Sequence, residues 1–233
     1  MENDKRPETA AEKPRLVLLE RGLVLTDGKL ELTADFTGML RRIRRGNLQN
    51  EMLVKAVRIR GCGEVLSVLD ATAGLGEDSL LLAAAGFRVT LYEYDPMIAA
   101  LLRDSLTRAS ELAELREIVS RMTFFEGDSI PAMRKLSTRP EGRPDVILLD
   151  PMFPRRQKSA MIGKKFQLLQ QLEQPCTDEK ELLGAAIAAE PKKIVIKRPV
   201  KGPYLAGMKP DYSLTGKAIR CDCMINLKSR TVR

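Results

Sequence analysis

The sequence predicts an α/β protein whose mostly parallel sheet carries helices on both faces. From residue 65 onward, short apolar runs that suit buried strands alternate with longer runs that have helical spacing. Strands separated by helices are joined by crossover connections, which favour parallel pairing. The chain has 233 residues, of which 44% are hydrophobic and 30% charged, so it can bury a full core. We therefore expect one large domain with a small N-terminal extension.

Local signals predict the individual elements. Pro96 suits the first position of a helix, Asp78 suits the N-cap of the preceding helix, and Gly86 suits that helix's end. Residues 26–29 form a turn signal between two short apolar runs. Strands are expected at residues 16–19, 30–32, 65–69, 88–92, 122–126, 146–149, 193–197 and 219–227, the last one antiparallel. Helices are expected at residues 47–57, 79–85, 96–106, 111–119, 131–136, 167–172 and 180–189.

The composition along the chain suggests three parts. Residues 1–15 are polar, charged and contain proline, which predicts a disordered tail and not a signal peptide. Residues 16–60 form an N-terminal subdomain of short strands and a basic helix, and residues 61–233 form the sheet domain. No apolar run approaches the roughly 20 residues that a membrane span needs, so we expect a cytoplasmic protein without a membrane partner.

The cysteines and the missing histidine exclude several kinds of chemistry. The chain has no histidine and four cysteines, Cys62, Cys176, Cys221 and Cys223, with no CxxC pair. This pattern argues against a zinc site, and we expect no metal. It also excludes a Ser-His-Asp triad. We expect the cysteines to be free, buried thiols in a reducing compartment.

The positive charge of the chain is clustered. The net charge is +8, residues 41–60 carry seven basic side chains and one acidic, and residues 192–233 carry eleven basic and two acidic. A third cluster follows residue 154 and contains Arg155, Arg156, Lys158, Lys164 and Lys165. Such clusters suit a polyanion, and we expect contacts with nucleic-acid phosphates.

The loop after the first strand of the sheet domain suits a nucleoside cofactor. Asp70 ends that strand, and Gly74 and Gly76 allow a ligand to approach the backbone. Glu93 ends the next strand, where a carboxylate can accept two hydrogen bonds from a ribose. Asp128 follows the third strand and could accept a hydrogen bond from an adenine amino group. A nicotinamide dinucleotide and S-adenosylmethionine both fit this pattern.

The residues that follow the glycines favour one of the two cofactors. Glu77 and Asp78 begin the next helix. A pyrophosphate binds at a helix N-terminus through backbone amides, and two carboxylates there would repel it. The same carboxylates suit a sulfonium with an ammonium group, so the sequence favours S-adenosylmethionine.

A stiff loop follows the fourth strand of the sheet domain. It reads Asp150-Pro151-Met152-Phe153-Pro154 and follows the apolar run 146–149. Ligands bind at the carboxyl ends of the strands in open parallel sheets. The prolines restrict the backbone. A carboxylate and a ring held there suit the binding of a planar base that bears an amine.

With these motifs, the chain resembles the RsmJ family of small-subunit (16S) ribosomal RNA guanine-N2 methyltransferases. The resemblance covers about residues 20–227 and rests on residues 70–76, Glu93, residues 150–160 and Lys197-Arg198-Pro199. It implies a Rossmann-like class I methyltransferase fold with seven strands, and methylation of guanosine N2 in 16S rRNA or the small ribosomal subunit. The implied cofactor contacts are Glu77, Asp78, Glu93, Tyr94, Asp128, Ser129 and Asp150.

The expected reaction assigns roles to three residues of the stiff loop. Asp150 or the Pro151 carbonyl accepts the N–H bonds of the amine, and Phe153 stacks on the base. The expected phosphate contacts are Arg155, Arg156, Lys158, Lys164, Lys165, Lys197 and Arg198. Two alternatives stay open: an adenine-N6 methyltransferase that acts on DNA or RNA, and a non-catalytic RNA-binding factor in ribosome assembly.

Overall fold

The computed structural model describes residues 13–62, 65–138, 141–151, 168, 178–227 and 230. The chain begins with a three-stranded antiparallel sheet of β1 (Arg15–Leu19), β2 (Gly22–Thr26) and β3 (Glu31–Thr33), in that order. The turn predicted at residues 26–29 is present, and Asp27 Oδ1 accepts hydrogen bonds from the backbone N–H groups that follow it. Strand β2, which pairs with both β1 and β3, was not predicted. Arg15 belongs to β1 and not to a disordered tail.

The basic helix predicted at residues 47–57 is divided in two. Helix α1 covers Arg45–Leu48 and α2 covers Met52–Val57. Between them, the Glu51 carboxylate accepts hydrogen bonds from the Arg42 guanidinium at 2.6 and 2.8 Å. This ion pair fixes the segment between α1 and α2 to Arg42, which precedes α1.

The main sheet confirms the predicted fold. Its elements in chain order are β4 (Ser67–Asp70), α3 (Glu77–Ala84), β5 (Arg88–Glu93), α4 (Pro96–Glu111), α5 (Ala113–Val119), β6 (Met122–Glu126), α6 (Ser129–Thr138), β7 (Val146–Leu149), α7 (Glu179–Ala188), β8 (Lys193–Pro199), β9 (Tyr212–Thr215) and β10 (Ile219–Met224). The strand order is β6-β5-β4-β7-β8-β10-β9. Within this described sheet, β10 pairs antiparallel with both β8 and β9, and the other pairings are parallel. The exposed, polar edge strand β9 was not predicted.

Alternate residues of the central strands bury opposite faces of the sheet. Val68 and Leu148 lie in one apolar cluster, whereas Leu69 and Ile147 lie in the other. The first cluster also includes Phe36 and other residues of the N-terminal segment. The N-terminal segment and the sheet therefore share one core.

The helix starts are set by two different devices. Asp95 caps α4 as its side chain accepts from two backbone N–H groups, and Pro96 occupies the first helical position as predicted. Asp78 is not the cap of α3: the cap is Gly76, at φ 78°, and the helix begins at Glu77. A Cβ at Gly76 would lie 2.6 Å from Leu102 Cδ1, so glycine is required by packing as well as by conformation.

Two further observations concern the burial of the cysteines and the length of the helices. Cys221 and Cys223 are buried free thiols as expected, but Cys62 is exposed. Cys176 and the helix predicted at residues 167–172, apart from Leu168, lie outside the described residues. Among the helices of the described ranges, none is long and apolar enough to cross a membrane.

Candidate active site

The candidate site lies where the strand order reverses, between β4 and β7. In open α/β sheets, ligands bind at this point beyond the carboxyl ends of the strands. Two backbone hydrogen bonds join the loops there, from Ala71 N to Leu148 O at 3.0 Å and from Ala73 N to Tyr92 O at 2.9 Å. The ends of β4, β5 and β7 are thereby held as one rigid edge, and each end carries a carboxylate.

Glu93 fixes the glycine loop from the end of β5. Its Oε2 accepts a hydrogen bond from Gly74 N at 2.7 Å, and its Oε1 accepts one from Asp95 N at 2.8 Å. The residue is 8% exposed, and burial raises the pKa of its carboxyl group. A carboxylate has about four lone-pair positions, so both oxygens can accept a further bond from a diol.

The two glycines of the loop have different surroundings. Both have positive φ angles, 55° for Gly74 and 78° for Gly76. A Cβ at Gly74 would meet no atom within 4 Å, whereas one at Gly76 would clash with the core. Gly74 is therefore the position where the backbone is open to a ligand.

Asp70 is a buried acid at the end of β4. It is 2% exposed, and its carboxylate accepts hydrogen bonds from Ser79 Oγ at 2.7 Å and from Thr72 N at 3.2 Å. Burial raises the pKa of Asp70 to about 7, and the Asp78 and Asp150 carboxylates add to this effect while the two hydrogen bonds oppose it. The sequence analysis missed both Thr72 and Ser79 as partners of this acid.

Lys197 links the two acids that face each other across the site. Its ammonium lies 2.5 Å from Asp78 Oδ2 and 2.7 Å from Asp150 Oδ2. Burial lowers the pKa of Lys197, but the two carboxylates outweigh it and hold that pKa above its usual range. Burial raises the pKa of Asp150, and the Lys197 charge opposes this shift.

The Asp150 backbone is anchored separately from its side chain. Asp150 N donates to Thr72 Oγ1 at 2.7 Å, which ties the end of β7 to the loop after β4. The carboxylate keeps 37% of its side-chain surface exposed, so it can reach a ligand. The buried Pro151 follows directly.

The remaining predicted cofactor contacts surround this edge. Gly127 N donates to Glu93 O at 2.8 Å, which brings the turn before Asp128 to the end of β5. The exposed Asp128 accepts from Ile130 N, while Ser129 is buried. Tyr94 is 76% exposed, and Glu77 is the first residue of α3.

Of the residues predicted to contact phosphates, the structure describes two, Lys197 and Arg198. The prediction for Arg198 is wrong, because its side chain is fully buried and donates to Pro203 O and Glu179 Oε1 at 3.1 Å. Lys197 lies inside the site instead of on the surface around it. The other predicted phosphate contacts and the stacking residue fall outside the described residues: Arg155, Arg156, Lys158, Lys164, Lys165 and Phe153.

The basic N-terminal segment has exposed arginines and one arginine that senses the charges of α3. Arg41, Arg44 and Arg45 are exposed. Between them in sequence, the Arg42 guanidinium has its pKa raised by the Glu51 hydrogen bond, with smaller contributions from the Asp78 and Glu77 charges. The charges at the start of α3 therefore reach Arg42 of this segment.

Comparisons with known proteins identify the family. The model of the SAM_MT family, described as SAM-dependent methyltransferases, matches residues 5–226. The chain belongs to this family. It is 41% identical over 209 residues to the ribosomal RNA small subunit methyltransferase J of Thioalkalivibrio sulfidiphilus, an alignment that covers 89% of this chain and 81% of the relative. The corresponding protein of Hahella chejuensis is 44% identical over 181 residues, covering 78% of this chain and 66% of the relative.

A solved structure confirms the fold. The SAM-dependent methyltransferase NGO1261 from Neisseria gonorrhoeae superposes with a TM-score of 0.74 at 32% identity, covering 95% of this chain and 85% of that one. The resemblance to the RsmJ family is thus confirmed, and the chain is a class I methyltransferase whose methyl donor is S-adenosylmethionine.

The site's own residues fit this donor. Glu93 is a buried carboxylate, a group that can accept hydrogen bonds from a ribose diol, and a Cβ at Gly74 would meet no atom within 4 Å. Asp70, Asp78 and Asp150 supply three carboxylates against the one Lys197 ammonium that bridges two of them. This excess of negative charge complements a sulfonium and an ammonium group, and it would oppose a pyrophosphate.

Proposed function

We propose that the protein transfers the methyl group of S-adenosylmethionine to the exocyclic N2 of a guanosine in 16S rRNA or the small ribosomal subunit. The relatives named as small-subunit rRNA methyltransferases support the RNA substrate. A cytoplasmic location follows from this proposal, because ribosomal subunits mature there. The choice of guanine N2 belongs to the proposal and rests on the RsmJ resemblance.

One observation carries the proposed chemistry: a partly exposed carboxylate, Asp150, is held at the carboxyl end of β7 beside the acids of the donor pocket. Its backbone is fixed by Thr72 and its Oδ2 by Lys197. Among the described residues, none donates a hydrogen bond to Asp150 Oδ1 in the structure. This oxygen is therefore available to accept an N–H bond of the incoming amine.

The donor supplies a methyl group that is already activated by a sulfonium, so the protein mainly orients the reactants. The lone pair of the guanine amine is delocalised into the ring, and an acceptor for its N–H bond increases the electron density on the nitrogen. As the N–C bond forms and the C–S bond breaks, the nitrogen becomes positive. Asp150 stabilises that charge and accepts the proton that the nitrogen loses. The Pro151 carbonyl is the second acceptor that we propose.

The basic surfaces provide the RNA contacts in this proposal. Arg41, Arg44 and Arg45 are exposed, and the basic residues after residue 154 directly follow the stiff loop that begins at Asp150. Contacts of this kind make the affinity depend on salt, because each bound phosphate releases counterions. The target base must be unpaired or leave its stack to reach Asp150.

The decisive experiment compares wild type with Asp150→Asn on small ribosomal subunits, 16S rRNA and DNA, using S-adenosylmethionine with a labelled methyl group. Nucleosides from the digested product are then identified by mass. We expect N2-methylguanosine from the wild type. Asp150→Asn keeps the size of the side chain but removes its charge, and we expect it to lower the rate by roughly 100-fold or more.

The matched control is Asp145→Asn, an identical substitution at the other end of β7, which should keep nearly the full rate. A wild-type-like rate in Asp150→Asn would remove this residue from the mechanism. Recovery of N6-methyladenosine would favour the adenine-N6 alternative, which also uses an acidic residue before proline at this strand end. Family membership already argues against the non-catalytic alternative, and calorimetric titration with S-adenosylmethionine tests donor binding directly.

A further inference from the structure

We propose that Lys197 is a positioning residue for methyl transfer: its ammonium ties Asp150 to Asp78 and so fixes the carboxylate that receives the amine. The inference rests on the proposed function for the identity of the base. Neither the sequence analysis nor the names of the relatives assigns Lys197 to the reaction, and the sequence predicted it as a phosphate contact.

The geometry of Lys197 argues for this role. It lies on β8, whereas its two partners lie on α3 and after β7, so one ammonium joins three elements of the sheet edge. Only 21% of its side-chain surface is exposed. Two carboxylates already neutralise the ammonium and little of the side chain is exposed, so a phosphate contact with RNA is disfavoured.

The bridge also orients Asp150. Lys197 engages Oδ2, and the Thr72 hydroxyl accepts a bond from the backbone N–H of the same residue. Lys197 therefore holds one carboxylate oxygen of Asp150, and in this proposal the other oxygen, Oδ1, receives the amine. Misplacing a catalytic group by about 1 Å can lower a rate about 100-fold, so this anchoring has a measurable effect.

The charges around Asp150 fix the direction of the expected pH effect. Among the described residues, the groups that act on it are Asp70 at the end of β4, Asp78 on α3, Lys197 with Arg198 on β8, and the buried Cys221 thiol on β10. Burial and the Asp78 charge raise the pKa of Asp150, whereas the two cations lower it. Loss of the Lys197 charge must therefore raise this pKa and shift the acidic limb of the activity profile to higher pH.

The test compares Lys197→Met, Lys197→Gln and Lys197→Arg with the wild type. We expect Lys197→Met to lower kcat about 100-fold with a less than threefold change in the KM for RNA. The acidic limb should move to higher pH in the Met and Gln variants and return toward the wild-type position in Lys197→Arg. Lys201→Met, which replaces an exposed lysine just beyond β8, should leave kcat and the pH profile unchanged.

A second measurement does not depend on the substrate. The ¹³C-labelled carboxyl group of Asp150 is titrated by NMR in wild type and variants, with its signal assigned through Asp150→Asn. We expect an increase of at least about one unit in the pKa of Asp150 in Lys197→Met and Lys197→Gln, and a much smaller change in Lys197→Arg.

Two results would overturn the inference. One is an unchanged Asp150 titration in Lys197→Met; the other is a raised KM for RNA with wild-type kcat and pH profile, which is the signature of a phosphate contact. Failure of the proposed function is a different result, because it appears as a product other than N2-methylguanosine in the wild type. The NMR titration decides the role of Lys197 in either case.

Discussion

The pKa values of the acids at the two edges of the central sheet are shifted in opposite directions. At the amino edge, Asp145 accepts hydrogen bonds from Ser67 N at 2.8 Å and Ser67 Oγ at 2.9 Å, and it pairs with Lys192 at 2.7 Å. Burial acts to raise the pKa of Asp145, but these partners lower it overall. At the carboxyl edge, burial raises the pKa of Asp70, Glu93 and Asp150.

The lysines of β8 show the same contrast. Lys193 begins the strand, and its ammonium donates to Ala56 O at 2.9 Å and Arg58 O at 2.6 Å, at the end of α2. Burial lowers its pKa, since neutral carbonyls satisfy its hydrogen bonds without a countercharge. Lys197, four residues later on the same face of the strand, faces carboxylates instead. The charged groups of the amino edge thus pair with polar groups that join elements, whereas the carboxyl edge holds an excess of acids, where we propose that the donor binds.

The largest expected effect is a gain of stability in Asp70→Asn. The folded-state pKa of Asp70 is about 7, above its unfolded value of 3.8. The folded state therefore binds more protons between these values, and this acid's contribution to stability is lost as the pH rises through about 7. One pKa unit corresponds to about 1.36 kcal/mol, so Asp70→Asn should gain up to about 4 kcal/mol at pH 8 and little at pH 4. Urea unfolding of the variant and the wild type at both pH values measures this difference in the free energy of unfolding.

An asparagine can keep both hydrogen bonds of Asp70, because its oxygen can accept from Thr72 N and its amide can donate to the Ser79 hydroxyl. The substitution thus breaks no hydrogen bond of Asp70, and the change in the free energy of unfolding measures the cost of its buried charge. Equal stabilities of Asp70→Asn and wild type at pH 8 would contradict the view that the carboxyl edge stores unfavourable charge. We expect weaker donor binding in the same variant, the usual relation between stability and function at such sites.

The contrast also explains how far the sequence could predict the site. The shared position of Asp70, Glu93 and Asp150 at one edge was predictable, because each follows or ends a predicted strand and the topology of a parallel sheet brings such ends together. Arg198 and Lys197 are adjacent and were assigned the same role. They point to opposite faces of β8, so one is buried against Glu179 and the other lies between two acids.

The missed features have a common physical cause. Thr72 and Ser79 act through contacts between loops and helices that no local pattern encodes. The charge state of Lys197 depends on Asp78 and Asp150, which are 119 and 47 positions away in sequence. Strand β9 escaped prediction because an exposed edge strand needs no apolar alternation. In contrast, the fold was predictable, since the repeated strand and helix signals from residue 65 onward agree with one topology.

An intermediate change in the free energy of unfolding is expected when Lys193, at the start of β8, is replaced. Lys193→Met leaves the Ala56 and Arg58 carbonyls without their donor, and we expect a loss of about 2 kcal/mol in the free energy of unfolding. Methyl transfer per folded molecule should stay near the wild-type value, because Lys193 lies at the opposite edge from the site. Urea unfolding and activity at equal folded fraction measure the two quantities. Lys55→Met, an exposed lysine on α2, is the control and should change stability by less than about 0.5 kcal/mol. A stable but inactive Lys193→Met would remove the distinction between the two lysines.

The smallest effect, and the one with the opposite sign to Asp70→Asn, is expected for Asp145→Asn. The folded-state pKa of Asp145 lies below its unfolded value of 3.8, so its contribution is present above pH 4 and is lost as the pH falls through the folded-state value. The variant keeps one acceptor for Ser67 N but loses the ion pair with Lys192, and we expect it to lose about 1 kcal/mol at neutral pH. The difference from wild type should shrink below pH 4, whereas the Asp70→Asn difference grows as the pH rises from 4 to 7. Parallel urea unfolding series of the two variants check this: curves that shift in the same direction would show that the two edges do not differ in how they hold their acids.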